Sequence, residues 1–168
     1  MQISNKFAQF ESFPALFITS GEYEAHFYIA FDGKLELKEK IKMPPRENAK
    51  EKQAFEGQRV GDKILSSFTN RGRFIEDLKK KFAREVHSKI HDILAEERLE
   101  EIYIFAPRYV TKRIINSLDK QEQKKVRMQF YKEYTKENPI KLIEIFQKEI
   151  EKIQKEIMEN PKKQILTT

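Results

Sequence analysis

Residues 71–84, RGRFIEDLKKKFAR, hold six Lys/Arg against two Asp/Glu. Cations at this density can contact phosphates, so the stretch is a candidate RNA-backbone surface; the plain alternative is a solvated helix face. It adjoins a polar gap at residues 43–73, MPPRENAKEKQAFEGQRVGDKILSSFTNRGR, with seven Lys/Arg, four Asp/Glu and the tripeptide Glu56-Gly57-Gln58. A stretch this long is uncommon inside a compact domain and is usually functional or disordered. Arg59, Lys63, Arg71, Arg73, Lys79, Lys80 and Lys81 are the candidate phosphate contacts.

Other constellations carry less. His87 and His91 lie one helical turn apart, a spacing that metalloprotease helices use with a Glu after the first His. Here Ser88 stands in that place and Glu85 precedes, so the pair reads as surface histidines beside a buried stripe. His26 falls on the opposite strand face from Tyr23 and Phe27 and reads as a satisfied or exposed histidine. A two-metal nuclease needs several carboxylates converging from sheet strands. Ala15-Leu16-Phe17-Ile18-Thr19-Ser20 and Ile104-Phe105-Ala106-Pro107 offer none, Asp32 is a turn residue, and Glu101 lies at the wrong end of its strand. No serine sits in a G-x-S-x-G elbow, and Gly57–Gly61 is neither a P-loop nor a dinucleotide turn. No cofactor and no metal are expected.

The elements that must position these residues follow from periodicity. Ala15-Leu16-Phe17-Ile18 is a continuous apolar run, as in a central strand covered on both faces. Tyr23, Ala25, Phe27 and Ile29 alternate, Asp32-Gly33 signals a hairpin, and Leu35, Leu37 and Ile41 alternate with lysines and glutamates as at a sheet edge. Phe74, Leu78, Phe82, Val86, Ile90 and Ile93 predict a long amphipathic helix over about 74–99. Glu101–Ala106 is a fourth strand, Pro107 opens a helix at its N1 position, and Val126, Met128 and Phe130 alternate as a fifth strand. Asn138-Pro139 caps a last helix, 139–160, striped by Ile143, Phe146, Ile150, Ile153 and Ile157. Residues 2–12 read as a short helix. The expected fold is α/β: a ribonuclease-H-like motif, β-β-β-α-β-α-β-α, with a mixed five-stranded sheet and three main helices. Strands are expected near 14–20, 22–31, 34–42, 101–106 and 125–133, in one domain spanning 1–168.

Composition bounds the partners. The net charge is +6 and 36% of residues are charged. This permits an RNA partner without demanding one. With no cysteine there is no disulfide, thiol nucleophile or cysteine zinc site. No apolar run approaches membrane-helix length and MQISNKFAQFESF lacks a signal-peptide layout, so a cytoplasmic protein is expected.

The helix FIEDLKKKFAREVHSKI, the strand and turn EIYIFAPRYVTKRIINSL and the segment QEQKKVRMQFYKEYTKENPIKLIEIF follow one another in a distinctive order. With the opening FPALFITSGEYEAHFYIAFDGKLEL, about residues 13–148 resemble the bacterial host-attachment family, bacterial relatives of the archaeo-eukaryotic release factors. The resemblance implies a domain like the middle domain of those factors, whose long loop between the third strand and the first long helix is tipped by Gly-Gly-Gln. There the glutamine helps direct water onto the ester of peptidyl-tRNA. The gap at 43–73 lies in the matching place, so the resemblance makes Gly57 and Gln58 the catalytic candidates and the ribosome or tRNA the partner. Glu56 stands where the motif has its first glycine, and Gln58 precedes the expected helix by about 16 residues. The other reading is a non-catalytic interaction module, with a homodimer formed through the heptad-like spacing of the last helix.

Overall fold

A computed structural model describes residues 1–43 and 68–159. Strands β1 (Ala15–Ser20), β2 (Glu24–Phe31), β3 (Lys34–Lys42), β4 (Glu101–Phe105) and β5 (Val126–Phe130) form one sheet in the order β3-β2-β1-β4-β5. β1 is antiparallel to β2 and parallel to β4, β4 is parallel to β5, and β2 is antiparallel to β3. Among the described residues four helices accompany them: α1 (Phe68–Glu96), α2 (Arg108–Ser117), α3 (Lys120–Lys125) and α4 (Ile140–Glu159). The mixed five-stranded α/β class is as expected and is compatible with the ribonuclease-H-like motif. α3 is an addition to the three expected helices.

The sheet is covered on both sides. Leu16, Ile18, Phe27, Ile102 and Ile104 pack with Phe82, Val86 and Ile90 of α1 and Ile114 of α2. Ala15, Phe17, Tyr28, Tyr103 and Phe105 pack on the other side with Leu142, Ile143 and Phe146 of α4. Phe17 is the centre of this second cluster, with ring centroids 4.9 Å from Tyr103 and 5.8 Å from both Phe105 and Phe146.

Several boundaries and faces differ from the sequence expectation. Residues 2–12 form no helix. Their backbone groups serve the β2–β3 turn instead: Ile3 N donates to Gly33 O and Gly33 N to Gln9 O, while Phe7 and Phe10 pack on the second cluster. The turn itself has Asp32 and Gly33 both at positive φ, 47° and 69°, the conformation that Asp-Gly hairpins favour. Both edge strands are irregular. β3 shifts register opposite Phe27/Tyr28, so Leu35 joins the α4-side cluster, Ile41 joins the α1-side cluster, and Leu37 is 55% exposed. β5 shifts opposite Ile102/Tyr103, which separates Val126 from Met128 and Phe130 in the same way. An extra residue reverses the two-residue phase, so a strand read as having one apolar face divides its apolar residues between two.

Both ends of the expected loop belong to the described residues. Met43 is buried and donates its N–H to Tyr23 O, and α1 starts at Phe68, six residues before the expected 74. Pro107 is the N-cap of α2, its carbonyl accepting from Val110 and Thr111, and the helix proper opens with Arg108. Asp119 caps α3 in a reciprocal box: Oδ1 accepts from the N–H groups of Gln121 and Glu122, and Glu122 Oε2 accepts from Asp119 N. On α4, Leu142, Ile143 and Phe146 are buried on the chain's own sheet, but Ile153 is exposed and Met158 more so.

Phe17 is fully buried among aromatic partners, so Phe17→Ala should cost about 3–5 kcal/mol by urea denaturation. Leu37→Ala, on the exposed side of β3, should stay within about 0.5 kcal/mol.

Candidate functional site

The pairing pattern places the carboxyl ends of β1, β3, β4 and β5 on one edge of the sheet. Met43, which follows β3, bonds to the β1–β2 connection at that edge. Lys79 of α1 meets Glu22 at 3.3 Å, just past β1, so the amino-terminal part of α1 lies there too. A carboxylate oxygen of Glu133, just past β5, lies 2.9 Å from where a side chain on Gly21 would begin, so the end of the Glu133 side chain sits close against the β1–β2 connection.

On α1, Arg73, Lys80 and Lys81 are exposed, as is Arg84. With Asp77 they recur at helical spacing and share the helix face opposite Phe82 and Val86. None of these four cations has an ion-pair partner among the described residues. Lys79 is different: Glu22 already holds it, so a phosphate must compete with that carboxylate. Arg113 similarly takes Glu76, at 3.2 Å. Arg71 falls in the first turn of α1. Gly57, Gln58, Arg59 and Lys63 lie outside the described residues.

The sequence reading passed over a second group at the same edge. Arg108 and Tyr109 open α2 directly after β4, and Tyr131 and Lys132 follow β5 directly. All four are exposed. The available signal was a cation beside a tyrosine at the end of each strand. Burial and, next, the Glu22 carboxylate raise the Tyr109 hydroxyl above its ordinary pKa.

The histidines are more engaged than their spacing suggested. Glu122 is buried and uses both oxygens, Oε2 on His87 Nε2 at 3.2 Å and Oε1 on His91 Nδ1 at 3.1 Å. The three side chains clasp α3 onto α1. Among the described residues no three His, Asp or Glu side chains have the arrangement of a metal site. His26 is buried; its Nε2 donates to Glu24 Oε1 at 2.9 Å and its Nδ1 lies 3.2 Å from the Tyr28 hydroxyl. Lys40 also reaches Glu24, at 2.9 Å. Hydrogen bonds from Lys40 first and His26 second hold the Glu24 carboxyl at about 2, below its ordinary 4.5.

A carboxyl group depressed in this way stabilises the fold above its ordinary pKa. The contribution falls as pH drops from 4.5 towards 2. Glu24 is partly solvated, so the effect is about 1 kcal/mol. Glu24→Gln should narrow the stability difference between pH 5 and pH 2 by that amount in urea titrations.

The sequence profile of the family described as "Protein required for attachment to host cells" matches residues 25–145. No curated protein matches the chain. Among solved structures, one described as "Archaeal protein" is similar at 10% identity and a TM-score of 0.43, covering 90% of this chain and 41% of the other. The crystal structure of the archaeal translation termination factor aRF1 is similar at 11% identity and a TM-score of 0.43, covering 88% of this chain and 42% of that one. The chain thus spans about two fifths of the length of these solved chains. The profile match takes in well over half of the sequence, and the chain belongs to the family of proteins required for attachment to host cells.

Proposed function

We propose that the chain, acting as one domain in the cytoplasm, is a translation-associated, release-factor-like protein that binds the ribosome or peptidyl-tRNA through the carboxyl edge of its sheet. The observation that carries this reading is the row of exposed cations Arg73, Lys80 and Lys81 on α1, without an ion-pair partner among the described residues. α1 resumes the described chain after residues 44–67, and those residues include the Gly57-Gln58 pair singled out by the sequence resemblance. Phosphate contacts of this kind position an RNA without reading its sequence. Arg59, Lys63 and Arg71 add cations on the same stretch of chain.

In this reading Gln58 orients a water toward the ester carbonyl of peptidyl-tRNA, and Gly57 permits the close backbone approach. The gain comes from positioning and from donors aimed at the developing oxyanion. A second reading, an adaptor that acts by binding alone, is favoured by the exposed Ile153 and Met158 on the outer part of α4, which offer a surface for a second copy.

Binding to deacylated tRNA should weaken steeply with salt. Replacing Arg73, Lys80 and Lys81 by Glu should lower affinity and reduce the magnitude of the log–log salt slope by about 2–3. Gln58→Ala should keep that binding and abolish release of a peptidyl ester from programmed ribosomes. Binding without release in the parent chain supports the adaptor; absence of binding at low salt defeats the RNA reading.

A further inference from the structure

The carboxyl end of β5 brings aromatic rings and cations together at the margin of the α4-side core. Phe105 and Phe130 stack with centroids 4.2 Å apart and planes 9° from parallel, and Tyr134 meets Phe105 edge-on at 5.6 Å. Phe105 is fully buried, so this ladder of rings has a fixed base. Tyr131 turns outward from it and is 52% exposed. The Arg108 guanidinium lies 4.9 Å from the Tyr131 ring centroid, and Lys132 Nζ lies 5.7 Å from that of Tyr134. The Tyr131 hydroxyl donates to Gln129 Oε1 at 2.9 Å, which leaves the Gln129 amide N–H groups free to donate. An open cavity of about 410 Å³ adjoins these side chains, with Glu149 of α4 on its wall.

This combination points to one chemical class. Arg108 and Lys132 have no ion-pair partner among the described residues, and each already sits over a ring. The exposed Tyr131 ring with neighbouring cations matches what a single-stranded nucleic acid presents, π-faces and phosphates in alternation. The cavity lies in the size range of small-ligand sites. Glu149 faces Lys152 at 3.8 Å through Oε1, and its carboxylate can also accept from the exocyclic amine of a base.

We propose that Tyr131 and the cavity beside it form a base-stacking subsite for single-stranded RNA, with Arg108 and Lys132 on the flanking phosphates. The subsite rests on the RNA-binding reading above and extends it from phosphate contacts to base contacts. It lies on the same sheet edge as the α1 cations but depends on different residues.

The test is fluorescence anisotropy of a short labelled oligoadenylate with the full chain, with inorganic polyphosphate as a competitor that has charge and no bases. Tyr131→Ala should weaken oligoadenylate binding about tenfold, leave the salt slope unchanged, and leave polyphosphate competition unchanged. Tyr131→Phe, which keeps the ring, should bind within about twofold of the parent. Circular dichroism should report intact folding in both, because Tyr131 is outside the core. Unchanged oligoadenylate binding by Tyr131→Ala in a parent that does bind overturns the subsite alone. An equal loss for polyphosphate overturns stacking as its basis. A parent that binds neither tRNA nor oligoadenylate at low salt overturns the underlying reading and the subsite with it.

Discussion

The parallel pairing of β1 with β4 holds this structure together. It runs in register from Ala15 opposite Glu101 to Thr19 opposite Phe105, between segments far apart in sequence. Every residue of β1 is buried, and all of β4 but Glu101. Neither strand can therefore exist as a stable surface ribbon; each needs helices on both faces. α1 and α2 supply one cover and α4 the other. The closure entropy of so long a connection is recovered only when this apolar area is buried. Loss of the Phe17 ring cluster thus weakens the sheet and the α4 side together.

The same pairing gives the molecule two unlike ends. At the amino ends of the parallel strands, several charges are paired locally, although Lys34 and Lys124 stay exposed there. Lys38 pairs with Glu96 and Glu97, Arg127 with Glu101, and Lys125 donates to Leu99 O. At the carboxyl ends, Arg73, Lys80, Lys81, Arg108 and Lys132 have no carboxylate partner among the described residues, and Tyr109 and Tyr131 are half exposed. Open α/β sheets carry ligands at the carboxyl ends of their strands. Among the described residues Glu22 neutralises Lys79 there, Glu76 neutralises Arg113 and Glu24 neutralises Lys40, and the first two pairs tie α1 to the edge and to α2.

Which features were legible in the sequence follows from how local they are. β1 and β4 were readable because burial on both faces leaves an uninterrupted apolar run. The Asp32-Gly33 turn and the α1 stripe were readable because each is set by neighbouring residues. The amino-terminal segment was misread because Ile3, Phe7 and Phe10 have helical spacing while the backbone of Met1, Ile3 and Phe10 bonds to that of Leu35, Gly33 and Asp32. The register shifts in β3 and β5 leave no mark in a two-residue pattern. The Asp119–Glu122 box did leave a mark, D-x-x-E, that the reading did not use. The histidine clasp did not, because Glu122 lies more than 30 residues from either histidine. The α1 cations were visible as a charge run, whereas the separation of Lys79 from Lys80 and Lys81 required the position of Glu22.

The central claim is that one edge of the sheet faces RNA. Lysine acetylation read by mass spectrometry, with and without saturating tRNA, tests it most directly. Protection should concentrate on Lys80, Lys81 and Lys132 at the carboxyl edge. Lys34 at the start of β3 and Lys124 on α3, exposed at the other end, should react equally in both samples. Protection of Lys34 and Lys124 with Lys80, Lys81 and Lys132 left reactive would contradict the account.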